Sequence, residues 1–143
     1  MVRTIVLSRY TANPPVELGR VKIEGGPLYG LEEVRTLAGA MRLNLWTRKC
    51  IQDVRNLYEG VRDAYDSDLS MAADLLLRLD TAGCYIDSEW CDNGKGAMAA
   101  CDAYEVQRSD PILATGKRLT ARYFVKFAIG RTGEALLLVS CHL

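Results

Sequence analysis

The sequence predicts an α+β fold, with three helices packed on a C-terminal antiparallel β-sheet. Two observations carry this. Apolar residues recur at helical spacing between Leu31 and Thr81, and alternate with period two after that. The final stretch, Leu119 to Leu143, then reads LTARYFVKFAIG, RTGE, ALLLVSCHL. It is two runs rich in aliphatic, aromatic and β-branched residues with a glycine-containing connection, the mark of a strand–turn–strand unit.

The elements follow in order. Arg3 to Tyr10 is β-like, since Ile5 and Leu7 alternate with polar neighbours, and Asn13-Pro14-Pro15 breaks it. Val16 to Glu24 reads as a second short strand, ended by Gly25-Gly26-Pro27. In Leu31 to Met41, Leu31, Val34, Leu37, Ala38 and Met41 form an apolar stripe, with Glu32 and Glu33 in the first turn, where the helix dipole favours them. Leu43 to Thr47 is a short extended piece. Arg48 to Tyr65 is the next helix, with Ile51, Val54, Leu57, Tyr58, Val61 and Tyr65 on one side and Thr47 as its cap. Ser67-Asp68 opens a third helix to Thr81, with Gly83 as the C-terminal cap. Cys84 to Trp90 and Cys101 to Arg108 are strands, Cys91 to Ala100 a loop, and Pro111 to Lys117 a connection to the hairpin.

A chain of 143 residues implies one domain, and there is no apolar run long enough to span a membrane and no signal-peptide pattern. A cytoplasmic location is the expectation. Five cysteines without a CxxC pair imply reduced, mostly buried thiols; Cys84, Cys91 and Cys101 are spaced too irregularly for a standard zinc motif, and neither metal nor cofactor is expected. Net charge is zero but unevenly spread: residues 1–50 carry eight cations and four anions, 51–107 four and twelve, 108–143 six and two. A local basic surface is thus compatible with a neutral chain, although it would draw nucleic acid less than a generally basic one.

The hairpin holds the candidate site. Leu119, Ala121, Tyr123, Val125, Phe127 and Ile129 share a core face; Thr120, Arg122, Phe124, Lys126 and Ala128 share the other. A loop of three or five residues around Gly130 and Gly133 pairs Ile129 with Ala135, and so Arg122 with His142. The only histidine would then share a face with Arg122, Phe124, Lys126 and Ser140. The plainer reading is a wet sheet face with ordinary charges. The sharper one is a shallow cationic site for phosphate. Cys141 and His142 point to opposite faces and make no dyad, while Cys101 with His142 would need the strands to bring them together. Gly116-Lys117 lacks the upstream glycine of a phosphate loop and is followed by Arg118, so a turn is expected there. Asp87, Glu89, Asp92 and Asp102 suggest an acidic rim or a face for a basic partner, and Trp46 and Trp90 packing.

From Pro27 on, the order of elements and several short motifs resemble the MqsR family of bacterial toxins from type II toxin–antitoxin pairs. Pro27-Leu28-Tyr29-Gly30-Leu31 through Val34 and Leu37 matches the spacing of P-H-Y-x-L-x-x-V-K-x-L, and Arg42 to Thr47 is similar to R-x-x-x-T. Cys84-Tyr85-Ile86-Asp87 resembles F-Y-K-S, Ala100 to Tyr104 W-Q-D-V-Y, Phe124-Val125-Lys126 Y-x-K, and Ser140-Cys141-His142 S-F-K. The match covers about four fifths of the chain, and residues 1–26 stand outside it as a β-like extension to a core of 27–143.

The resemblance implies a RelE/YoeB-like fold, mRNA endoribonuclease activity that inhibits growth, and neutralisation by a cognate antitoxin protein. The family's Lys, Gln, Tyr and Lys fall on Ile86, Cys101, Phe124 and His142, of which only the last can replace the lost chemistry. RNA cleavage through the 2′-OH needs a base, an acid and cations for the developing charge. The expected catalytic set is therefore His142, Arg122 and Lys126, with Phe124, Ser140, Arg118 and Lys117 holding RNA and no metal. The alternative is a catalytically silent protein-binding module, an inhibitor or assembly part, which the acidic middle and the lost family residues favour.

Overall fold

The computed structural model describes residues 5–16, 20–111 and 115–143. The elements run β1 (Ile5–Val6), β2 (Val21–Ile23), α1 (Leu31–Gly39), β3 (Leu43–Leu45), α2 (Arg48–Val61), α3 (Asp68–Leu77), α4 (Leu79–Ala82), β4 (Gly83–Asp92), β5 (Ala97–Pro111), β6 (Arg118–Ile129) and β7 (Leu136–His142). The chain is α+β, with a seven-stranded, mostly antiparallel sheet in the order β2-β4-β5-β6-β7-β3; β1 lies parallel against the start of β5. This sheet is larger than the sequence suggests. β2 extends it at one edge, antiparallel to β4, and β3 at the other, parallel to β7. Parts of the expected strands at Arg3–Tyr10 and Val16–Glu24, and of the Pro111–Lys117 connection, lie outside the described residues.

Local chemistry accounts for the helix ends. Thr47 Oγ1 accepts from the Cys50 N–H at 3.0 Å and caps α2. Ser67 and Ser70 form a reciprocal capping box on α3. Three stripe residues leave their stripes: Met41 lies past the end of α1 at φ 57° and is exposed, Ile51 is exposed on α2, and Tyr65 falls beyond α2, which ends at Val61. The expected third helix is two. Arg78, at φ −95° and ψ 2°, ends α3, and the single turn α4 follows. Gly83 is not a left-handed cap. It is extended (φ −97°, ψ 148°) and begins β4. Glycine is required there by space, because a Cβ would sit 2.5 Å from the Leu79 carbonyl oxygen. The expected loop over Cys91 to Ala100 shrinks to a tight connection, as β4 continues to Asp92 and β5 starts at Ala97.

One face of the sheet carries the helices. Arg108 Nη1 donates to the Met71 carbonyl at 2.9 Å and to Asp74 at 3.2 Å, both on α3. Residues of the same ladder parity (Tyr104, Val106, Tyr123, Val125, Phe127) join Leu136, Leu138 and Cys141 in one buried cluster with Val34, Cys50, Val54, Met71 and Leu76. Arg108 is itself buried. It pairs with Asp110, which also accepts from Tyr123 Oη at 2.5 Å, so the charge is matched where it is desolvated.

The hairpin register departs from the odd-loop expectation. Ile129 pairs with Leu136, not Ala135, and the Gly130 N–H donates to the Ala135 carbonyl at 2.8 Å. A bulge follows: Phe127 faces Leu138, while Lys126 faces Ser140. Val139 is the extra residue, and it restores the parity that the even loop had shifted. The reason lies in Leu136 to Val139, all buried, so that neither face of that run resists a shift. Only the polar Ser140 and His142 fix parity. His142 therefore sits opposite Phe124, not Arg122.

Candidate functional site

The face away from the helices carries Glu89 and Cys91 on β4, Cys101 and Ala103 on β5, Phe124 and Lys126 on β6, and Ser140 and His142 on β7. Small residues make its floor: Cys101 and Ala103 are completely buried between longer neighbours. At the β7 side this face opens into a pocket of about 360 Å³. Its lining includes Phe124, Lys126, Ser140 and His142 from the hairpin, Arg20 before β2, and Cys91. Thr47 and Lys49, at the start of α2, complete one wall. Thr47 Oγ1 also donates to the Val139 carbonyl at 2.9 Å, tying that wall to the bulge.

Two features set the pocket's chemistry. The imidazole of His142 stacks on the Phe124 ring, with centroids 5.2 Å apart and an interplanar angle of 26°. His142 Nδ1 lies 2.9 Å from the Leu143 carbonyl oxygen. A carbonyl can only accept, so Nδ1 carries the proton in that contact, and Nε2 of the neutral ring keeps its lone pair. The second feature is an ion cluster. Lys126, only 3% exposed, contacts Glu89, which also accepts from Arg20 Nε and Nη2 at 3.1 and 2.7 Å. Burial alone would push the Glu89 carboxyl up, but the hydrogen bonds from Lys126 and Arg20 outweigh it and hold it below its ordinary value. The Lys126 ammonium also lies 5.5 Å from the Phe124 ring centroid.

The structure thus brings together four of the expected residues, His142, Lys126, Phe124 and Ser140, and not the other three. Arg122 is exposed on β6 beyond the end of β7, with its guanidinium 3.6 Å from Glu105. Arg118, further along, donates to the Ser109 carbonyl at 2.7 Å, and Lys117 is exposed beside it. Of Ile86, Cys101, Phe124 and His142, only Phe124 and His142 meet. Ile86 is exposed at a β4 irregularity, and Cys101 lies two strands from His142 with β6 between them, and is offset along it, so no Cys101–His142 dyad forms. Arg20, Thr47, Lys49, Cys91, Asp92 and Val139 complete the pocket without having been singled out for it. Capping marks Thr47 in the sequence, but nothing there ties it to β7.

Two of the four acidic residues do not stand on a solvated rim. Glu89 is buried in the ion cluster. Asp102 is buried on the helix side, accepting from the Leu28 and Tyr29 N–H groups and from Ser88 Oγ at 2.6 Å, and desolvation pushes its pKa up despite those bonds. Asp87 pairs with Lys22. Trp90 is buried against Met98 and Ala100. Among the described residues no helix is long and apolar enough to cross a membrane, and no cluster of three or more His, Cys, Asp or Glu side chains could hold a metal. Comparison with protein-family models, with curated proteins and with solved structures finds no match.

Proposed function

We propose that the pocket beside the C-terminal hairpin binds and cleaves RNA, with His142 as the proton-transfer group, in a toxin-like domain of RelE/YoeB kind that works in the cytoplasm and is neutralised by a cognate antitoxin. One observation carries this reading. The chain's only histidine, a stacking aromatic ring and three cations, Arg20, Lys49 and Lys126, converge on a single pocket. A base of single-stranded RNA stacks on such a ring, and cations hold the adjoining phosphate. The first turn of the 14-residue helix α2 borders the same space and adds a favourable dipole for an anion.

The reaction that fits needs no metal. His142 Nε2 takes the proton of a ribose 2′-OH, and the 2′-oxygen attacks the adjacent phosphorus. The extra negative charge on the phosphoryl oxygens faces Lys126 and Lys49, while the departing 5′-oxygen takes the proton from the imidazolium. The products are a 2′,3′-cyclic phosphate and a free 5′-hydroxyl. Arg122, Arg118 and Lys117 lie too far along β6 for that role, and serve at most as contacts to flanking RNA.

The test is induction of wild type, His142→Ala and Phe124→Ala in a growing bacterial culture, reading growth and RNA integrity. Arrest with RNA cutting by wild type, lost in both variants, is expected. Arrest and cutting that persist in His142→Ala would remove this residue from the mechanism. The second reading, a silent protein-binding module, is favoured by the mutual neutralisation of Lys126 and Glu89. It is what remains if wild type does neither.

A further inference from the structure

We propose that Asn93, in the turn between β4 and β5, is a self-modification site. Its side-chain amide is hydrolysed through a cyclic imide with the Gly94 nitrogen, which leaves aspartate or isoaspartate. This rests on the turn's own geometry and stands whether or not the pocket cleaves RNA. Of the chain's four asparagines, only Asn93 precedes a glycine. Asn13 precedes Pro14, which has no N–H to give up. Asn44 lies in β3 and Asn56 in α2, each followed by a bulky leucine whose backbone is fixed by the element. Gly94 is exposed, and a Cβ there would meet nothing within 4 Å, so nothing crowds the backbone at the reacting bond.

Three hydrogen bonds prepare the reaction. Ring closure needs the Gly94 nitrogen to lose its proton and attack the Asn93 side-chain carbonyl carbon, and charge then gathers on Oδ1. The Gly94 N–H donates to Asp92 Oδ1 at 2.9 Å, so a carboxylate already holds the proton that must leave. The oxygen that takes the charge, Asn93 Oδ1, accepts from the Lys95 N–H at 2.8 Å and from the Ala97 N–H at 3.2 Å. Two backbone donors on one carbonyl oxygen polarise its carbon and meet the developing oxyanion. The turn itself is pinned. The Asn93 N–H donates to the Ala97 carbonyl at 3.0 Å, and Gly94 (φ 75°) and Gly96 (φ 87°) take the left-handed backbone that the turn requires.

In the step, the bond from the Gly94 nitrogen to Asn93 Cγ forms and the Cγ–Nδ2 bond breaks. Nδ2 leaves as ammonia with the proton that Asp92 took up. Water then opens the imide at either carbonyl. One water enters and one ammonia leaves, with no oxidant or cofactor. The product carries a new carboxylate next to Asp92, which lines the pocket. Isoaspartate also adds a carbon to the main chain there.

The experiment incubates the full chain, wild type and Asp92→Asn, at neutral pH, folded in buffer and unfolded in guanidinium. Peptide mapping by mass follows all four asparagines, and labelling by isoaspartyl methyltransferase counts isoaspartate. Folded wild type should convert at Asn93 first, and faster than in guanidinium, where the three hydrogen bonds are gone. Asp92→Asn keeps an oxygen for the Gly94 N–H but no carboxylate to take its proton. It should slow the folded chain by about tenfold or more, a modest share of what a positioned base supplies, and leave the unfolded rate nearly unchanged. Folded wild type that converts no faster than unfolded, a different asparagine converting first, or a folded Asp92→Asn as fast as wild type would each overturn the proposal.

Discussion

Replacing Lys126 by Met tests the ion cluster beneath the pocket. The Lys126 and Glu89 side chains are 4% and 5% exposed, so the substitution strands a carboxylate out of water. Removing one partner of such a pair costs about 3–5 kcal/mol. Arg20 still reaches Glu89, but its side chain is 71% exposed and its charge is screened, so the loss falls near the low end, about 3 kcal/mol. Urea unfolding at pH 7, followed by the fluorescence of Trp46 and Trp90, measures it. A slope of roughly 1–3 kcal/mol/M turns that loss into a fall in midpoint of roughly 1–3 M. Adding Glu89→Leu removes the stranded charge and should bring stability back to within about 1 kcal/mol of wild type. The pH dependence has a definite sign. Glu89 titrates lower folded than unfolded, so its contribution is full above the ordinary value of 4.5 and fades as pH falls through the folded value. The gap between wild type and Lys126→Met therefore narrows in acid. A single variant within about 0.5 kcal/mol of wild type, or a double variant weaker than the single, would refute the reasoning.

Four further substitutions probe the frame around the site. Gly83→Ala puts a methyl group 2.5 Å from the Leu79 carbonyl oxygen, a backbone atom that cannot swing away, and should cost about 2–3 kcal/mol by thermal or urea unfolding. Arg108→Met leaves Asp110 buried with only tyrosine hydroxyls as partners and should cost about 3–5 kcal/mol by the same measurement, while Tyr123→Phe should cost about 1. Thr47→Ala removes both the α2 cap and the tie to the Val139 carbonyl; a loss of about 1–2 kcal/mol is expected, with faster amide exchange in the first turn of α2.

The helices were legible because their signals are local. Thr47 and Ser67 cap as their side chains dictate, and α1, α2 and α3 start where periodicity begins. The alternation of Tyr123, Val125, Phe127 and Ile129 marked the core face of β6 correctly. Register was not legible. Leu136 to Val139 is apolar on both faces, so nothing in the run signals where one residue is set aside as a bulge. The shift moved His142 from Arg122 to Phe124 and carried the pocket toward β3 and α2. Lys126 looked like a free surface cation because its partner, Glu89, lies two strands away across β5, a contact sequence spacing does not encode. Arg20 was invisible for the same reason: it reaches Glu89 from 69 residues away. Cys91 was read as loop because glycines at 94 and 96 follow closely, yet the strand runs on to Asp92.

The most direct measurement of the central claim is single-turnover cleavage of a short single-stranded RNA by the purified chain in EDTA, with product ends identified by mass. The account predicts fragments ending in a 2′,3′-cyclic phosphate, no reaction with the same sequence carrying 2′-deoxyribose, and a rate lower by roughly 10²–10⁴ in His142→Ala, the share a positioned acid–base group supplies. Wild-type protein that leaves the RNA intact, or a His142→Ala variant that cuts as fast as wild type, would contradict it.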